Sequence, residues 1–590
     1  MQTIVISAPQ MKQQGGWVLD TQFVTTMGMP YLLAHGLGNP VADAQTTFTV
    51  DTNAKYHLFV YTFNWVAPWK PQYAPGIFKL GFDGSTHDCT FGATSPEWGW
   101  EYGGEVSLEK GEHTLTLIDQ TGFEGRFGMA VLTEDKNLAL PQTPEEVTAF
   151  CYAASNAATP LDQGSFDLVV CGAGYPGICA SLSAARQGLR VALVQDRPVV
   201  GGNNSSEVRV WLGGETNFEP FPGIGNVVLE LEQKKKGHYG SANQGENYED
   251  EKKMGLLLAE PNITLFTEHI LTDVEMQDNA ISSIVVWDYR NGQRKRLTAP
   301  LFLDSTGDAT LGYLAGADFE VTTNGHMGMT NAWYIEDTGT PQAFPRCPWA
   351  VDLTDVDIPG RVGVKDVYNH EGEGSLGCWF WEGGCEQDPI FKAEYARDLN
   401  LRAMYGAVDA LKNHDGSYPN HRLGFAAYIG GKRESRRLFG DVLMTKSDVY
   451  KGVVYPDSCV PSTWNFDVHY PDRRFYAAFH EGDAFLTKDY HEHFHKPYFI
   501  PYRAMYSRNI ANLFMAGRNI SVSHDALGTV RVMRTGGMMG EVIGYAAALC
   551  KKHQCTPRQL YQNHNDELMA TLKSIPKKGA ADDGHHHFGN

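Results

Sequence analysis

The sequence lacks several features that would place it in a specialised class of protein. No apolar run in its 590 residues reaches the ~18 residues that a membrane span needs. Basic residues are outnumbered, with 49 Lys and Arg against 69 Asp and Glu and a formal net charge of −20, which disfavours contact with a phosphate backbone. We therefore expect no membrane span and no nucleic-acid partner.

Cysteine is present but in no functional arrangement. The ten cysteines are scattered, without a C-x-x-C pair or a metal-site spacing, and a chain of this length does not need the disulfide framework of small secreted domains. Residues 1–17 lack a basic segment followed by an apolar core, so no signal peptide is visible. We expect reduced cysteines, no bound metal and a cytoplasmic protein, although a leader removed earlier would leave the same sequence.

The features that are present centre on residues 166–211. An apolar run at 168–170 predicts a buried strand, an Ala- and Leu-rich run at 178–187 predicts a helix, and 190–194 predicts a second strand. Between the first strand and the helix, Gly172, Gly174 and Gly177 have the G-x-G-x-x-G spacing of a dinucleotide-binding turn. A turn that binds nothing could carry the same three glycines, but the flanking strands favour a ligand.

Each glycine of this turn has a physical role in such a site. Gly172 permits the tight turn, Gly174 lets a pyrophosphate approach the backbone, and Gly177 lets the helix pack close to the strand. Tyr175 and Pro176 lie within the turn, ahead of the helix, whose free N–H groups and partial positive charge favour a phosphate. We expect all five residues to contact a dinucleotide.

The end of the second strand departs from the usual pattern. An acidic residue about 20 residues after the turn normally holds the adenosine ribose, but Gln195 occupies this position and Asp196 follows it. An amide can also hydrogen-bond a hydroxyl, and Asp196 could take its place. Both residues are therefore candidate ribose contacts.

Four further motifs carry a family resemblance. A second glycine-containing loop, GGNNSSE, lies at 201–207, followed by LFLDSTGD at 301–308, GKRESRRLFGD at 431–441 and NLFMAGR at 512–518, ahead of a predicted helix at 529–550. From residue 166 to about 560, the sequence resembles the glutathione-reductase-like flavoproteins. More narrowly, it is similar to a family of FAD-dependent oxidoreductases found in bacterial carbohydrate-using gene sets, some of whose members are labelled xanthan lyases.

This resemblance implies an α/β protein with a glutathione-reductase-like Rossmann fold that binds FAD. The N-terminus of the last helix would then face the isoalloxazine and stabilise negative charge on it. An enzyme that uses NAD alone is disfavoured by the 304–307 turn and by this last helix. The cofactor contacts that the resemblance implies beyond the first turn are Gly201, Gly202, Asn203, Ser205, Ser206, Glu207, Thr306, Gly307, Asp308, Gly517, Arg518, Gly528, Thr529 and Val530.

The chain before this part has a different character. Short alternating segments at 45–51, 55–63, 76–82, 104–108 and 113–119 predict an antiparallel β-sandwich, and the spacing at 108–122 resembles the last strands of jelly-roll carbohydrate-binding domains. Large aromatic residues here could form a sugar platform or fill the core, and we favour the core. They are Trp65, Trp69, Trp98, Trp100 and Tyr102.

A domain division follows from these patterns. We expect the sandwich at 1–141, a short helix and linker at 142–164, the FAD-binding domain at 165–320 and 497–560, a substrate or cap domain of mixed structure at 321–496, and a tail at 561–590. Three consecutive histidines at 585–587 in this tail could form only a weak metal site.

Three residues are candidates for catalysis. His524 precedes the last helix, and its imidazole could accept the proton of a hydroxyl that is being oxidised, or could bond a backbone carbonyl instead. Arg433 and Arg503 could hold a substrate, although Arg433 could equally pair with Glu434.

We interpret the sequence as an FAD-dependent oxidoreductase that oxidises a hydroxyl of a sugar, glycoside or related polyhydroxylated compound. The redox class follows from the motifs, whereas the carbohydrate substrate, a small molecule or an oligosaccharide, follows from the family resemblance and the predicted sandwich. Two alternatives stay open. One is a lyase-type enzyme in which oxidation precedes elimination, and the other is a carbohydrate-binding protein with a vestigial flavin fold. The sequence does not indicate an oligomeric state.

Overall fold

The structure is a computed structural model that describes residues 1–155, 157–234, 244–366, 369–462, 464–472, 484–492 and 497–578. The histidine run at 585–587 lies outside the described residues. Among the described residues, no helix combines the length and the apolar character needed to cross a membrane.

The amino-terminal region is built from antiparallel sheets, as the alternating pattern predicts. Two four-stranded sheets, of order β1-β11-β5-β8 and β4-β9-β6-β7, share one apolar core, and β10-β3-β2 forms a third sheet. A four-residue helix, α1 (Val24–Met27), follows β2. The strands are β1 (Thr3–Ser7), β2 (Val18–Asp20), β3 (Tyr31–Ala34), β4 (Ala44–Val50), β5 (Ala54–Thr62), β6 (Phe78–Phe82), β7 (Ser85–Phe91), β8 (Gly99–Leu108), β9 (Gly111–Asp119), β10 (Gly125–Phe127) and β11 (Met129–Thr133).

The large aromatic residues of this region mostly pack inward or against the cap region. Trp65 is fully buried, and its ring meets that of Trp349 edge-on at 5.3 Å. Trp69 and Trp98 donate their indole N–H groups to Tyr395 and Glu394 in the helix at 393–409, each at 2.9 Å, and Trp100 donates to a carbonyl within its own region at 2.8 Å. Tyr102 alone of the five is exposed, so the predicted aromatics do not form a continuous platform.

A buried ionic network joins the same region to the cap. Arg126 pairs with Asp398 and with Glu394 (2.7 Å), while Arg397 pairs with Asp20 (3.0 Å) and Asp398 (2.7 Å). Both guanidinium groups are completely buried. Because breaking a buried pair leaves an uncompensated charge, this network holds the amino-terminal region in a fixed position on the cap.

The predicted strand–turn–helix–strand order is confirmed, and it belongs to a five-stranded parallel sheet of order β15-β14-β13-β19-β31. The predicted strand at 512–518 is its edge. The sheet strands are β13 (Leu168–Cys171), β14 (Val191–Val194), β15 (Ile263–Phe266), β19 (Leu301–Asp304) and β31 (Leu513–Met515), and the helices are α3 (Tyr175–Arg186), α4 (Asn226–Leu231), α5 (Asp250–Leu258) and α6 (Thr310–Leu314).

A second sheet of order β12-β18-β17-β16 packs beside the parallel one. Three of its strands are consecutive and antiparallel: β16 (His269–Gln277), β17 (Ala280–Asp288) and β18 (Gln293–Thr298). The fourth, β12 (Leu161–Ser165), pairs in parallel with β18 and comes from the segment expected to be a linker. That segment also contains α2 (Pro144–Ala154), which Thr143 and Glu146 cap reciprocally.

The cap region between the two parts of the parallel sheet contains short strands and one long helix. The long helix is α7 (Ala393–Asp409), continued by a wide turn at Ala410–His414. The other elements are β20 (Phe319–Glu320), β21 (Met329–Thr330), β22 (Trp333–Asp337), β23 (Glu382–Gly383), β24 (His421–Ala426), β25 (Gly431–Lys432), β26 (Arg437–Leu438), α8 (Lys446–Lys451), β27 (Ser458–Ser462), β28 (Phe466–Pro471), β29 (Thr487–Glu492) and β30 (Tyr498–Pro501).

The carboxy-terminal helices differ from the prediction in two ways. The single helix expected at 529–550 is two helices, α9 (His524–Val530) and α10 (Met533–His553), because Val532 adopts an extended conformation between them. The segment from residue 561, which we expected to be a tail, continues α11 (Pro557–Ser574). Leu560, Leu568 and Leu572 of α11 are fully buried, and this apolar stripe explains why the helix docks on the domain.

Candidate active site

A cleft of about 2820 Å³ lies at the carboxyl ends of β13, β14, β19 and β31. Ligands of open α/β sheets bind at this end of the strands. The volume exceeds the ~300–1,000 Å³ that suffices for a small ligand, so the cleft has room for an extended dinucleotide and a substrate together.

The glycine turn forms one wall, and its glycines divide into two kinds. A Cβ on Gly172 would lie 2.4 Å from the carbonyl oxygen of Ser305, and one on Gly177 would lie 1.9 Å from the carbonyl oxygen of Gly172. These two positions are needed for packing. A Cβ on Gly174 would meet only the ring of Pro176 at 3.7 Å, so this glycine keeps bare backbone open to the cleft.

The second loop meets the turn at the same place. Gly201 forms a parallel bridge with Gly174, and Gly202 (φ 62°) lies so that an added Cβ would contact only Gly174. Gly174 is also the N-cap of α3 and has no side chain to cap it. The free N–H groups of the helix therefore face a cleft lined by bare backbone, an arrangement that fits a pyrophosphate.

Gln195 and Asp196, the two candidates for the ribose contact, differ in how their side chains are engaged. The amide of Gln195 accepts a hydrogen bond from the N–H of Ala173 (2.9 Å) and donates to the carbonyl of Val199 (3.2 Å). Its polar atoms are therefore engaged with the loops that frame the cleft. Asp196 also lines the cleft and has a side chain 44% exposed, so it is the acidic group available to a ribose hydroxyl.

Several predicted cofactor contacts support the loops instead of lining the cleft. Ser205 donates to the carbonyl of Gly202 (2.7 Å), the N–H of Ser206 donates to Asp250 (3.0 Å), and Glu207 pairs with Arg197 (3.0 Å). The predicted contacts that do line the cleft are Gly172, Gly174, Tyr175, Pro176, Gln195, Asp196, Gly201, Gly202, Asn203, Thr306, Gly307, Asp308, Gly517 and Arg518.

Asp308, in the turn after β19, is held ionised by two cations. Lys432 donates to one of its oxygens at 2.6 Å, and Arg518 and Ser435 donate to the other. Burial would raise the pKa of Asp308, but Lys432 and Arg518 outweigh it and lower that pKa below its usual range. The motifs at 301–308, 431–441 and 512–518 thus meet at one point of the cleft wall.

The residues expected at the start of the last helix occupy another position. Gly528 and Thr529 lie inside α9 and pack on the 464–468 segment, where a Cβ on Gly528 would be 2.9 Å from the carbonyl of Asp467. Neither these residues nor Val530 line the cleft. The break after α9 instead brings Arg531, Val532 and the N-terminus of α10 to the cleft wall.

The three predicted catalytic residues are dispersed. Arg433 lines the cleft. His524 lies outside the cleft lining, and its Nδ1 lies 2.9 Å from a carboxylate oxygen of Glu434. Arg503 also lies outside this lining and forms two hydrogen bonds with Asp457, at 2.9 and 3.0 Å. The structure does not bring these three residues together at the cleft. Each of them pairs with a different carboxylate: Glu382 for Arg433, Glu434 for His524 and Asp457 for Arg503.

A carboxylate–imidazole–carboxylate chain borders the cleft, and the sequence analysis missed it. His469 is completely buried, with Nδ1 2.7 Å from Oε2 of Glu382 and Nε2 3.1 Å from Oδ1 of Asp467. Glu382 also accepts hydrogen bonds from Arg433 (2.9 Å) and Thr487 (3.0 Å). Asp467 lines the cleft and pairs with Arg531 at 3.2 Å.

The charge of Glu382 is fixed by these neighbours. Burial would raise the pKa of Glu382, but Arg433 and His469 outweigh burial and lower it to about 2. The alternation of Asp467 and His469 along β28 puts both on one face and is the only sequence signal for this arrangement. No local sequence feature indicates that Glu382 contacts His469, which is 87 residues away.

The comparisons with known proteins give the chain its class. A family model described as FAD dependent oxidoreductase matches residues 167–572, which is more than half of the chain. The protein therefore belongs to the family of FAD-dependent oxidoreductases. It is an enzyme whose cofactor is FAD, and this assignment favours a working flavin site over a vestigial one.

Solved structures show only weak similarity, and no curated protein matches the sequence. A native family 35 carbohydrate binding module from Clostridium thermocellum is 13% identical, with 22% of this chain and 98% of that chain covered and a TM-score of 0.19. Mycobacterium smegmatis Sdh1 in complex with UQ1 is 14% identical, covering 66% and 69%, with a TM-score of 0.30. OxyS anhydrotetracycline hydroxylase from Streptomyces rimosus is 11% identical, covering 70% and 65%, with a TM-score of 0.32. Similarity at this level carries no information about substrate.

Proposed function

We propose that this enzyme oxidises a hydroxyl group of a sugar, a glycoside or a related polyhydroxylated compound. The observation that supports it is the composition of the cleft wall, where Trp379 and Trp464 stand beside Asp467, Arg433 and Arg531. Indole faces offer apolar surface to the C–H face of a sugar ring, while charged groups at their edge can bond its hydroxyls. Pockets that combine aromatic walls with a few fixed polar groups bind such ligands with a defined orientation.

The cofactor would lie along the glycine-lined side of the same cleft in a glutathione-reductase-like arrangement. The backbone at Gly174 and Gly202 would hold its pyrophosphate, and Asp196 its ribose. Bound FAD supplies a two-electron acceptor. The N-terminus of α10 provides free N–H groups and a partial positive charge at the cleft, so this helix would favour anionic charge near Val532.

Asp467 would hold the substrate hydroxyl and accept its proton. Glu382 is ionised at neutral pH, so the 2.7 Å contact with His469 requires a proton on Nδ1. Glu382 thus fixes the orientation of His469, and Arg531 holds Asp467 at the cleft wall through the 3.2 Å ion pair. His524 is set aside as the base because it lies outside the cleft lining.

The test is anaerobic reduction of the FAD-loaded enzyme, with methyl β-D-glucopyranoside, D-glucuronate and myo-inositol as probes. We expect at least one probe to bleach the oxidised flavin. Asp467→Asn should slow bleaching at least 100-fold with FAD affinity unchanged, whereas His524→Gln should slow it less than tenfold. An enzyme that no probe bleaches, although dithionite reduces its flavin, would refute the substrate class. Equal rates in wild type and Asp467→Asn would refute the role of Asp467.

A further inference from the structure

We propose that His553, His564 and Glu567 form a binding site for a divalent transition-metal ion, with Zn²⁺ as the ion that best matches these donors. The site lies where α10 meets α11, at the opposite end of α10 from the cleft. With 21 residues, α10 is about 30 Å long, so the ion would be remote from the flavin.

The donor atoms are already close together. One ligand atom from each of the three residues lies within 4.8 Å of the others. Nε2 of His553 is 2.7 Å from Oε2 of Glu567, and the imidazole rings of His553 and His564 are nearly parallel, 12° apart, with centroids separated by 3.8 Å. Ligands of one tetrahedral zinc ion are roughly 3.3 Å apart, so shifts of about 1 Å in the donor atoms would complete the set.

The donor types match the proposed ion. Two neutral imidazoles and one carboxylate are typical ligands of zinc, and imidazole also suits copper, nickel and iron. All three residues are half-buried, so water could complete the coordination and an ion could enter from solvent. Hard cations such as Ca²⁺ and Mg²⁺ prefer oxygen ligands and should bind here poorly.

The backbone brings the donors from two helices to one point. His553 is the last residue of α10, and His564 and Glu567 are three positions apart on α11, which places them on one face. His564 lies at an interruption of helical geometry within α11, with φ −139° and ψ 18°. A bound ion would therefore join the end of α10 to the middle of α11.

Local electrostatics also favour a cation. The C-terminus of a helix carries partial negative charge, and His553 occupies that position in α10. Lys552 donates to the second oxygen of Glu567 at 2.7 Å, but its side chain is 62% exposed and can turn away.

The test measures Zn²⁺ binding to the FAD-loaded full-length chain by titration calorimetry. The histidines at 585–587 are replaced by alanine in every sample, because they would bind the same ion. We expect one equivalent with a Kd of roughly 10 μM or tighter, and at least tenfold weaker binding in His564→Gln and in Glu567→Gln. Zn²⁺ should raise the Tm of the parent protein and leave that of His564→Gln unchanged.

A second His–Glu pair in this chain provides the matched control. His421 and Glu373 are 2.9 Å apart, but this pair is not part of a three-residue donor group among the described residues. His421→Gln should therefore leave the Kd unchanged, and equal FAD content in all variants shows that they are folded. The proposal is overturned if no saturable binding occurs below about 1 mM, or if both His564→Gln and Glu567→Gln bind Zn²⁺ as tightly as the parent.

Discussion

Replacement of Glu382 by glutamine tests the buried chain of charges that lies behind the cleft. The carboxylate of Glu382 is completely buried and accepts hydrogen bonds from Arg433, His469 and Thr487. Glutamine keeps the shape of this side chain but removes its charge, so Arg433 and His469 lose the anion between them. We expect Glu382→Gln to destabilise the folded protein and to leave the cofactor loops intact, because these lie on another wall of the cleft.

The size of the expected destabilisation follows from the pKa of Glu382. The pKa of Glu382 falls from 4.5 to about 2 in the folded protein, which corresponds to about 3 kcal/mol of unfolding free energy at neutral pH. The folded pKa is the lower one, so this stabilisation is complete above pH 4.5 and is lost as the pH falls towards 2. Glu382→Gln should therefore lower the free energy of unfolding by about 3 kcal/mol at pH 7 and by roughly half as much near pH 3.

Urea unfolding of the FAD-loaded protein, followed by tryptophan fluorescence between pH 7 and pH 3, measures this difference. Glu373→Gln is the matched control, because Glu373 also pairs with a histidine but its side chain is 59% exposed, and its loss should cost less than about 0.5 kcal/mol. A Glu382→Gln variant within 1 kcal/mol of wild type at pH 7 would contradict the ionic role that we assign to Glu382. A loss that grew on acidification would contradict the sign of its pKa shift.

Two further predictions concern the turn and the buried network. Gly174→Ala should leave the fold intact and weaken FAD binding at least tenfold, because the added methyl group faces the cleft. Gly177→Ala should also lower the stability of the fold, because its Cβ would lie 1.9 Å from the carbonyl oxygen of Gly172. FAD titration and a thermal melt of each variant separate an effect on binding from an effect on stability. Equal FAD affinity and equal Tm in the two variants would refute the different roles of these glycines. Arg126→Met should cost about 3–5 kcal/mol of unfolding free energy in urea, because it leaves two buried carboxylates with one cation fewer, and a loss below 1 kcal/mol would show that the network does not hold the domains together.

The parts of the fold that were predictable are those with a local signal. The glycine turn, the strands beside it and the alternating strands of the amino-terminal region follow from periodicity and turn chemistry over short stretches. The interruption at Val532 has no such signal, because neither glycine nor proline marks it. It depends on tertiary contacts, among them the hydrogen bond from Arg531 to the carbonyl of Asp467 at 2.9 Å.

The candidate site divides in the same way. The glycines that line the cleft with bare backbone can be predicted, because only glycine satisfies the geometry and its spacing is visible in the sequence. Residues that act through charge cannot, because their partners are distant in sequence: Glu382 meets His469 across 87 residues. For a candidate base such as His524, the sequence therefore gives the residue type and its position before a helix, but not its partners. Only the structure shows that His524 pairs with the carboxylate of Glu434 and lies outside the cleft lining.

The glycines of α10 connect these parts of the molecule. A Cβ on Gly540 would lie 2.0 Å from the carbonyl oxygen of Pro176, and one on Gly544 would lie 2.5 Å from the side chain of Ser183. Helices α3 and α10 therefore pack as closely as their backbones permit, and α10 contacts the first turn of α3, where the glycine turn ends. A contact of this kind is close-packed and leaves no free space between the helices. A displacement of α10 along its axis would therefore also displace the glycine turn. An ion bound at His553 would act on the far end of this same helix, so any effect it had on FAD affinity would have to pass through the α3–α10 contact.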